Sequence, residues 1–154
     1  MWIDGYNVLT SIEAALSHGV ILHARDGCFR DMASMHGSYR KVEETVPAIR
    51  LLGAQLQQWG VARVVWLLDR PVSNSGRLKQ LLAESAELAG WLWEIELVTD
   101  PDVDLIRCDQ IVASADSQVI DSAGRWFNLA RTSLETGVQP KWIVDLSDAE
   151  SPGL

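Results

Sequence analysis

Apolar positions along this chain fall into two rhythms, one of helices and one of buried strands. After Asn7, residues Val8, Ile12, Ala15 and Leu16 keep helical spacing, and Gly19 marks the stop. "GVILHARDG" then reads as a short strand with a turn at Asp26-Gly27. "CFRDMASMHGSYRKVEE" carries mixed signals and reads as a loop with a helical turn. Thr45-Val46-Pro47 suits a helix start, with Thr45 as N-cap. Ile49, Leu52, Leu56 and Trp59 form the buried stripe of that helix, and Gly60 ends it. "ARVVWLLD" is an unbroken apolar run of strand length, the mark of a strand covered on both faces. "SNSGRLKQLLAESAELAG" follows as a capped helix ending at Gly90, and "WLWEIELV" as the next strand. "DQIVASAD" predicts a short strand leading into a helix that runs to about Ala130, and "KWIVDL" predicts the last strand. Strands alternating with helices predict an α/β fold, an open and mainly parallel sheet with helices on both faces. No repeat, low-complexity tract or internal linker divides it. One domain is expected over 1–148, with a frayed tail at 149–154.

Composition adds little to this picture, but charge adds a constraint. The formal charge is −8, whereas a protein that grips nucleic acid with a broad face is basic. Any nucleic-acid contact must therefore be local, with the acids gathered elsewhere or around metal ions. No apolar run approaches the length of a membrane span. Cys28 and Cys108 lack metal-like spacing and read as reduced thiols, which points to the cytoplasm.

The acids fall at predicted strand ends. Asp4 ends the first strand, Asp69 ends "VVWLLD" and Asp116 follows "IVASA". "DPDVD", with Asp100, Asp102 and Asp104, follows "WEIELVT". Open parallel sheets bind ligands at the carboxyl ends of their strands. Taken singly, each acid reads as a helix cap. Together at one edge they would repel one another unless a cation sat between them. Oxygen-only ligands suit Mg²⁺ or Mn²⁺, and carboxylate-held Mg²⁺ is a means of cleaving phosphodiesters. Asn7 would cap the first helix, orient Asp4 or a metal-bound water, or do both. Gly5 is expected to let the backbone turn sharply beside the site.

"WIDGYNVL" resembles the first-strand signature of the PIN-like nuclease superfamily, above all its NYN branch, and "ADSQVID" is similar to the second signature. The stretches "IDGYNVLTSIEAAL", "DGCFRDMASMHGSYR", "LLDRPVSNSGRL" and "SADSQVID" resemble the prokaryotic DUF434/DUF5616 family of that superfamily. The resemblance implies a PIN-like fold and makes Asp4 and Asp116 metal-binding acids. It matches Asp69 to the acid of a middle strand and Asp104 to the acid before the last signature, with Asp100 or Asp102 as substitutes. It also implies a small helical segment before "DGYN". Here the first strand has only Met1-Trp2-Ile3 in front of Asp4, so an upstream segment is expected to be missing.

Other groups admit two readings each. Ser73, Asn74 and Ser75 can cap the helix that follows Asp69. With Arg70 and Arg77 the same helix start can bind phosphate. Arg30 either holds phosphate or closes a surface ion pair. Tyr39, Arg40 and Lys41 can stack on a base and hold its backbone, as can many surface triplets. Trp66, Trp93 and Trp142 are expected in the core. The function expected is metal-dependent phosphodiester hydrolysis, with RNA as partner and a homo-oligomer left open. Metal ligands would be Asp4, Asp69, Asp104 and Asp116, aided by Asn7. One rival is a phosphatase with a nucleophilic aspartate, although no second acid stands two residues after Asp4. The other is a degenerate PIN-like module that binds RNA, a nucleotide or a protein without catalysis.

Overall fold

Residues 1–32 and 43–147 are described by a computed structural model. They form β1 (Trp2–Asp4), α1 (Gly5–Leu16), β2 (Val20–His23), β3 (Phe29–Asp31), α2 (Thr45–Gln58), β4 (Val64–Asp69) and α3 (Ser75–Ala89). β5 (Trp93–Val98), α4 (Pro101–Arg107), β6 (Val112–Ala113), α5 (Ser117–Ser122), α6 (Leu129–Gly137) and β7 (Trp142–Asp145) follow. The architecture is α/β, built on a four-stranded sheet in the order β5-β4-β1-β6 with every pairing parallel.

The unbroken apolar run of β4 has a direct cause. Val64, Trp66 and Leu68 point into the larger core with α1, α2, α3 and α6, where Val8, Leu9, Ile12, Leu52, Leu78 and Leu134 are buried. Leu67, from the opposite face of β4, packs with Leu105 of α4, Val112 and Val119 of α5. Helices thus cover both faces of the sheet, and a strand between two apolar layers has no polar side to show. Gly53 in mid-α2 makes room for an indole. A Cβ there would lie 2.1 Å from the Trp91 ring, which stacks on Trp93.

Several expectations are corrected. The strands do not form one sheet, because β2, β3 and β7 build a separate three-stranded sheet. "KWIVDL" pairs in parallel with β2, from Val20 opposite Trp142 to His23 opposite Asp145, and never meets the main sheet. Trp142 is therefore 64% exposed, not in the core, whereas Trp66 is fully buried and Trp93 packs against the core. Trp59 sits at the rim of the α2 stripe, edge-on to Phe127. The start of the segment after Cys28, Phe29–Asp31, is a strand and not a loop. Asp26 accepts from the Cys28 N–H at 3.0 Å, Gly27 takes a φ of +79°, and the hairpin places Phe29–Asp31 antiparallel to β2.

Thr45 does not cap α2. It lies inside the first turn, and its hydroxyl donates to the buried Glu13 carboxylate. The helix expected through Ala130 is broken. After α5 the chain returns to β6, where the Val112 N–H donates to Arg125 and the Phe127 N–H to Val112. Those ladder bonds pull residues 125–127 into extended backbone before α6 starts. Residues 33–42 and 148–154, with His36, Tyr39, Arg40, Lys41 and the tail, lie outside the described residues. Among the described residues no helix is long and apolar enough to cross a membrane.

Candidate functional site at the carboxyl edge of the main sheet

Parallel pairing brings the carboxyl ends of β5, β4, β1 and β6 to one edge. Ile3 stands between Trp66 and Ala113, and Asp69 lies opposite Val98. The first acid of that edge, Asp4, is only 5% exposed. Gly5 is what lets it sit so deep. A Cβ at Gly5 would lie 2.4 Å from Leu68 Cδ2 and 2.8 Å from the Leu67 carbonyl oxygen. Gly5 has no positive φ, so the glycine serves close approach of α1 to β4 and not the sharp turn expected of it.

The segment after β6 is held against Asp4 from several sides. The Ser114 hydroxyl donates to Asp4 Oδ2 at 2.7 Å and accepts from the Asp116 N–H at 3.0 Å. Asn7, in the first turn of α1, accepts the Ala115 N–H on Oδ1 at 2.7 Å. Trp126 Nε1 donates to the Ser114 carbonyl at 2.8 Å. Asp116 caps α5, with Oδ1 accepting from Gln118 N at 2.8 Å and Val119 N at 3.3 Å. Its Oδ2 has no hydrogen-bond partner among the described residues. Asn7 thus neither caps α1 nor bonds Asp4 through its side chain. It fastens the loop that carries Asp116.

The third and fourth acids come from β4 and α4. Asp69 ends β4. Asp100 caps α4 by accepting from Asp102 N at 3.1 Å, Pro101 occupies the first helical position, and Asp102 lies in the first turn. Their charges act on one another. Burial pushes the Asp4 carboxyl up to about 7, and the charges of Asp102 and Asp69 add to the rise against the Ser114 hydrogen bond. Burial also raises Asp102, with Asp116, Asp100 and Asp69 adding repulsion. Asp69 rises through burial and then through Asp100. The Tyr6 phenol, pushed up to about 12 by burial and by Asp69, borders the same group. Asp4, Asp69, Asp100 and Asp102 therefore act on one another at one edge, and Asp116 acts on Asp102.

Asp104, the acid expected from α4, is absent from the charges acting on Asp4, Asp69 and Asp102, whereas Asp102 acts on Asp4. The expected phosphate set is also altered. None of Ser73, Asn74 or Ser75 caps α3 through its side chain, and Asn74 sits there in a left-handed conformation with φ +67°. The Ser75 hydroxyl donates to the Arg70 carbonyl at 3.2 Å, and the Arg70 guanidinium to the Leu97 carbonyl at 2.7 Å. Arg77 remains exposed at the start of α3. Arg30 does not sit with α3 at all. It lies across the second sheet, paired with Asp26 and bonded to the Ala115 carbonyl. The roles of Ser114, Trp126 and Asp26 at this edge do not follow from the sequence. Only Ser114 carries a signal, its place in "ASAD" two residues before Asp116.

The donor chemistry fits a hard divalent cation, since every group at the edge is an oxygen. Among the described residues no three His, Cys, Asp or Glu side chains gather tightly enough to hold one ion together. Mg²⁺ is commonly held by one or two carboxylates and keeps its remaining waters.

Comparison with known proteins places this edge within a span shared by a whole family. The model of a domain of unknown function, DUF5616, matches residues 1–132. That span holds every acid of the edge, together with Asn7, Ser114 and Trp126, and stops short of β7. An uncharacterised protein of Methanocaldococcus jannaschii is 33% identical over 122 residues, covering 79% of this chain and 58% of its own length. The chain therefore spans somewhat over half the length of that relative. No solved structure matches.

Proposed function

The chain belongs to the DUF5616 family, and from its acidic edge we propose that it is a PIN-like nuclease of the NYN kind, hydrolysing RNA with Mg²⁺ or Mn²⁺. The observation that carries this reading is the gathering of Asp4, Asp69, Asp100, Asp102 and Asp116 at the carboxyl edge of one parallel sheet, with Asp4 buried. A protein gains nothing in stability from crowding ionised carboxylates, and a cation among them relieves the cost. The parallel sheet order and the position of the acids at strand ends support the PIN-like assignment.

In this reading Asp4 and Asp102 would hold the ion, with Asp69 and Asp116 beside them at the same edge. A bound Mg²⁺ or Mn²⁺ supplies an acidified water and neutralises charge at the phosphate. The chain's own residues do the positioning. Ser114 fixes the Asp4 carboxylate and the Asp116 backbone with one hydroxyl, and Asn7 fixes Ala115 between them. Arg77, at the α3 start just beyond Asp69, is placed to hold a flanking phosphate. The −8 charge agrees with contact confined to such a strip. The same charge favours the rival, a module that binds without cutting.

A single-stranded RNA should be cut in the presence of Mg²⁺ or Mn²⁺ and left intact with EDTA. Asp116→Asn should slow cleavage on the order of 100-fold, the effect of misplacing a catalytic group by about an ångström. RNA and metal bound without any cleavage, with Asp116→Asn binding RNA as well as the parent, would instead make the domain a binding module.

A further inference from the structure

One side chain of the second sheet reaches the loop that carries Asp116. Arg30, in the middle of β3, directs Nε to the Ala115 carbonyl at 2.9 Å, and its Nη2 reaches the same oxygen. The other side of the guanidinium is taken by Asp26. Nη1 donates to Asp26 Oδ1 at 3.0 Å and Nη2 to Oδ2 at 2.6 Å, a bidentate fork. Asp26 is itself fixed, since Oδ1 also accepts the Cys28 N–H at the hairpin turn. Both backbone groups of Ala115 are thus gripped, the N–H by Asn7 and the carbonyl by Arg30. The next residue is Asp116, whose charge is felt by the Arg30 guanidinium.

This arrangement differs from a surface ion pair in where the arginine spends its donors. A pair made only for surface stability contributes little. Here the fork orients the guanidinium so that its remaining donors meet a backbone carbonyl 85 residues away, between the two residues that anchor and carry the acid. Arg30 is also diverted from the acids themselves. Asp26 satisfies the cation, so it does not fold onto the free oxygen of Asp116.

We propose that Arg30, held in place by Asp26, is a positioning residue of the acidic edge, setting the direction of Asp116 by fixing the Ala115 carbonyl. The inference rests on the edge being the functional site, and it adds the second sheet to that site as its support.

The sign of the effect separates positioning from plain electrostatics. Arg30→Gln removes a positive charge beside the acids. If charge alone mattered, a divalent cation would then bind more tightly. If Arg30 positions Asp116, the cation should bind about tenfold more weakly, the usual cost of losing a group that orients a ligand. The probe is Mn²⁺ alone, titrated on the full chain and followed by loss of the free-ion EPR signal. Asp26→Asn should weaken Mn²⁺ as well, and adding it to Arg30→Gln should cost little more, because Asp26 acts through Arg30. A second measurement needs no metal. By NMR, the Ala115 and Asp116 amides of Arg30→Gln should exchange with solvent about tenfold faster than in the parent, while the amides of β4 keep their protection. Unchanged exchange at Ala115 and Asp116 overturns the proposal, as does Mn²⁺ affinity equal to or above that of the parent. If the parent itself fails to bind Mn²⁺, the nuclease reading falls, and the exchange rates alone decide the role of Arg30.

Discussion

Asp4→Asn should make the metal-free domain more stable at pH 8 while removing its response to divalent cations. The carboxyl of Asp4 is buried and lifted from 3.8 to about 7. Its native form therefore holds a proton that the unfolded chain releases. The stability this group contributes is complete below about pH 4 and is lost as pH rises through about 7. A tenfold change in proton affinity is worth about 1.4 kcal/mol, so ionising Asp4 costs on the order of 4 kcal/mol by pH 8. Asn keeps an oxygen to accept the Ser114 hydroxyl and carries no charge to desolvate. Its two N–H donors would face a region made negative by Asp102 and Asp69. The melting temperature of the parent should fall between pH 5 and pH 8, and the fall should be markedly smaller in the variant. At pH 8 the variant should melt on the order of 10 °C higher, given about 2–4 °C per kcal/mol in a chain of this size. Thermal melts followed by circular dichroism across that pH range check it. Parallel curves for the two proteins would mean that Asp4 is not the group whose ionisation is held back.

Gly5→Ala should act in the opposite direction, costing stability and function together. The added methyl would lie 2.4 Å from Leu68 Cδ2 and 2.8 Å from the Leu67 carbonyl oxygen. The leucine tip can rotate aside, but the carbonyl belongs to β4, inside a parallel ladder bonded on both edges. The helix must move instead. Overpacking of this kind costs about 1–3 kcal/mol. The displacement falls on the residue next to Asp4 and two before Asn7, so the grip on Ala115 loosens with it. Urea unfolding should report the loss of stability. RNA cleavage, assayed well below the melting point, should fall by more than the folded fraction explains. Gly76→Ala, at a position with nothing within 4 Å of the new methyl, serves as the control that should lower neither.

The parts of this fold that were legible in the sequence are those decided by local pattern. The β4 run could be read because both its faces are covered, and α2 because its apolar residues repeat over four turns. Strand alternation with helices also put Asp4, Asp69 and Asp116 at one edge. The choice within "DPDVD" was not legible. Pro101 starts α4 and Asp100 caps it, which puts Asp102 and Asp104 two residues apart on the helix. Two residues are a turn of about 200°, so the two acids face different ways. A helix of seven residues offers too few apolar positions to show which way is inward. The second sheet was hidden for another reason. β2 and β7 are four residues each and pair across more than a hundred positions, and nothing in a short edge strand names its partner. Arg30 illustrates the same limit. Its motif suggested phosphate or a surface pair, and its carbonyl partner lies on a loop that only the tertiary fold brings near.

The most direct measurement is the melting temperature of the domain at pH 8 with and without millimolar Mn²⁺. A ligand that binds only the native state stabilises it by RT ln(1 + [L]/Kd), about 2.7 kcal/mol at a hundredfold excess over Kd. The parent should gain several degrees, and Asp104→Asn, altering an acid outside the coupled group, should gain as much. Asp102→Asn and Asp116→Asn should lose most of the gain. An unchanged melting temperature in the parent, or an equal gain in all four proteins, would contradict a metal site at this edge.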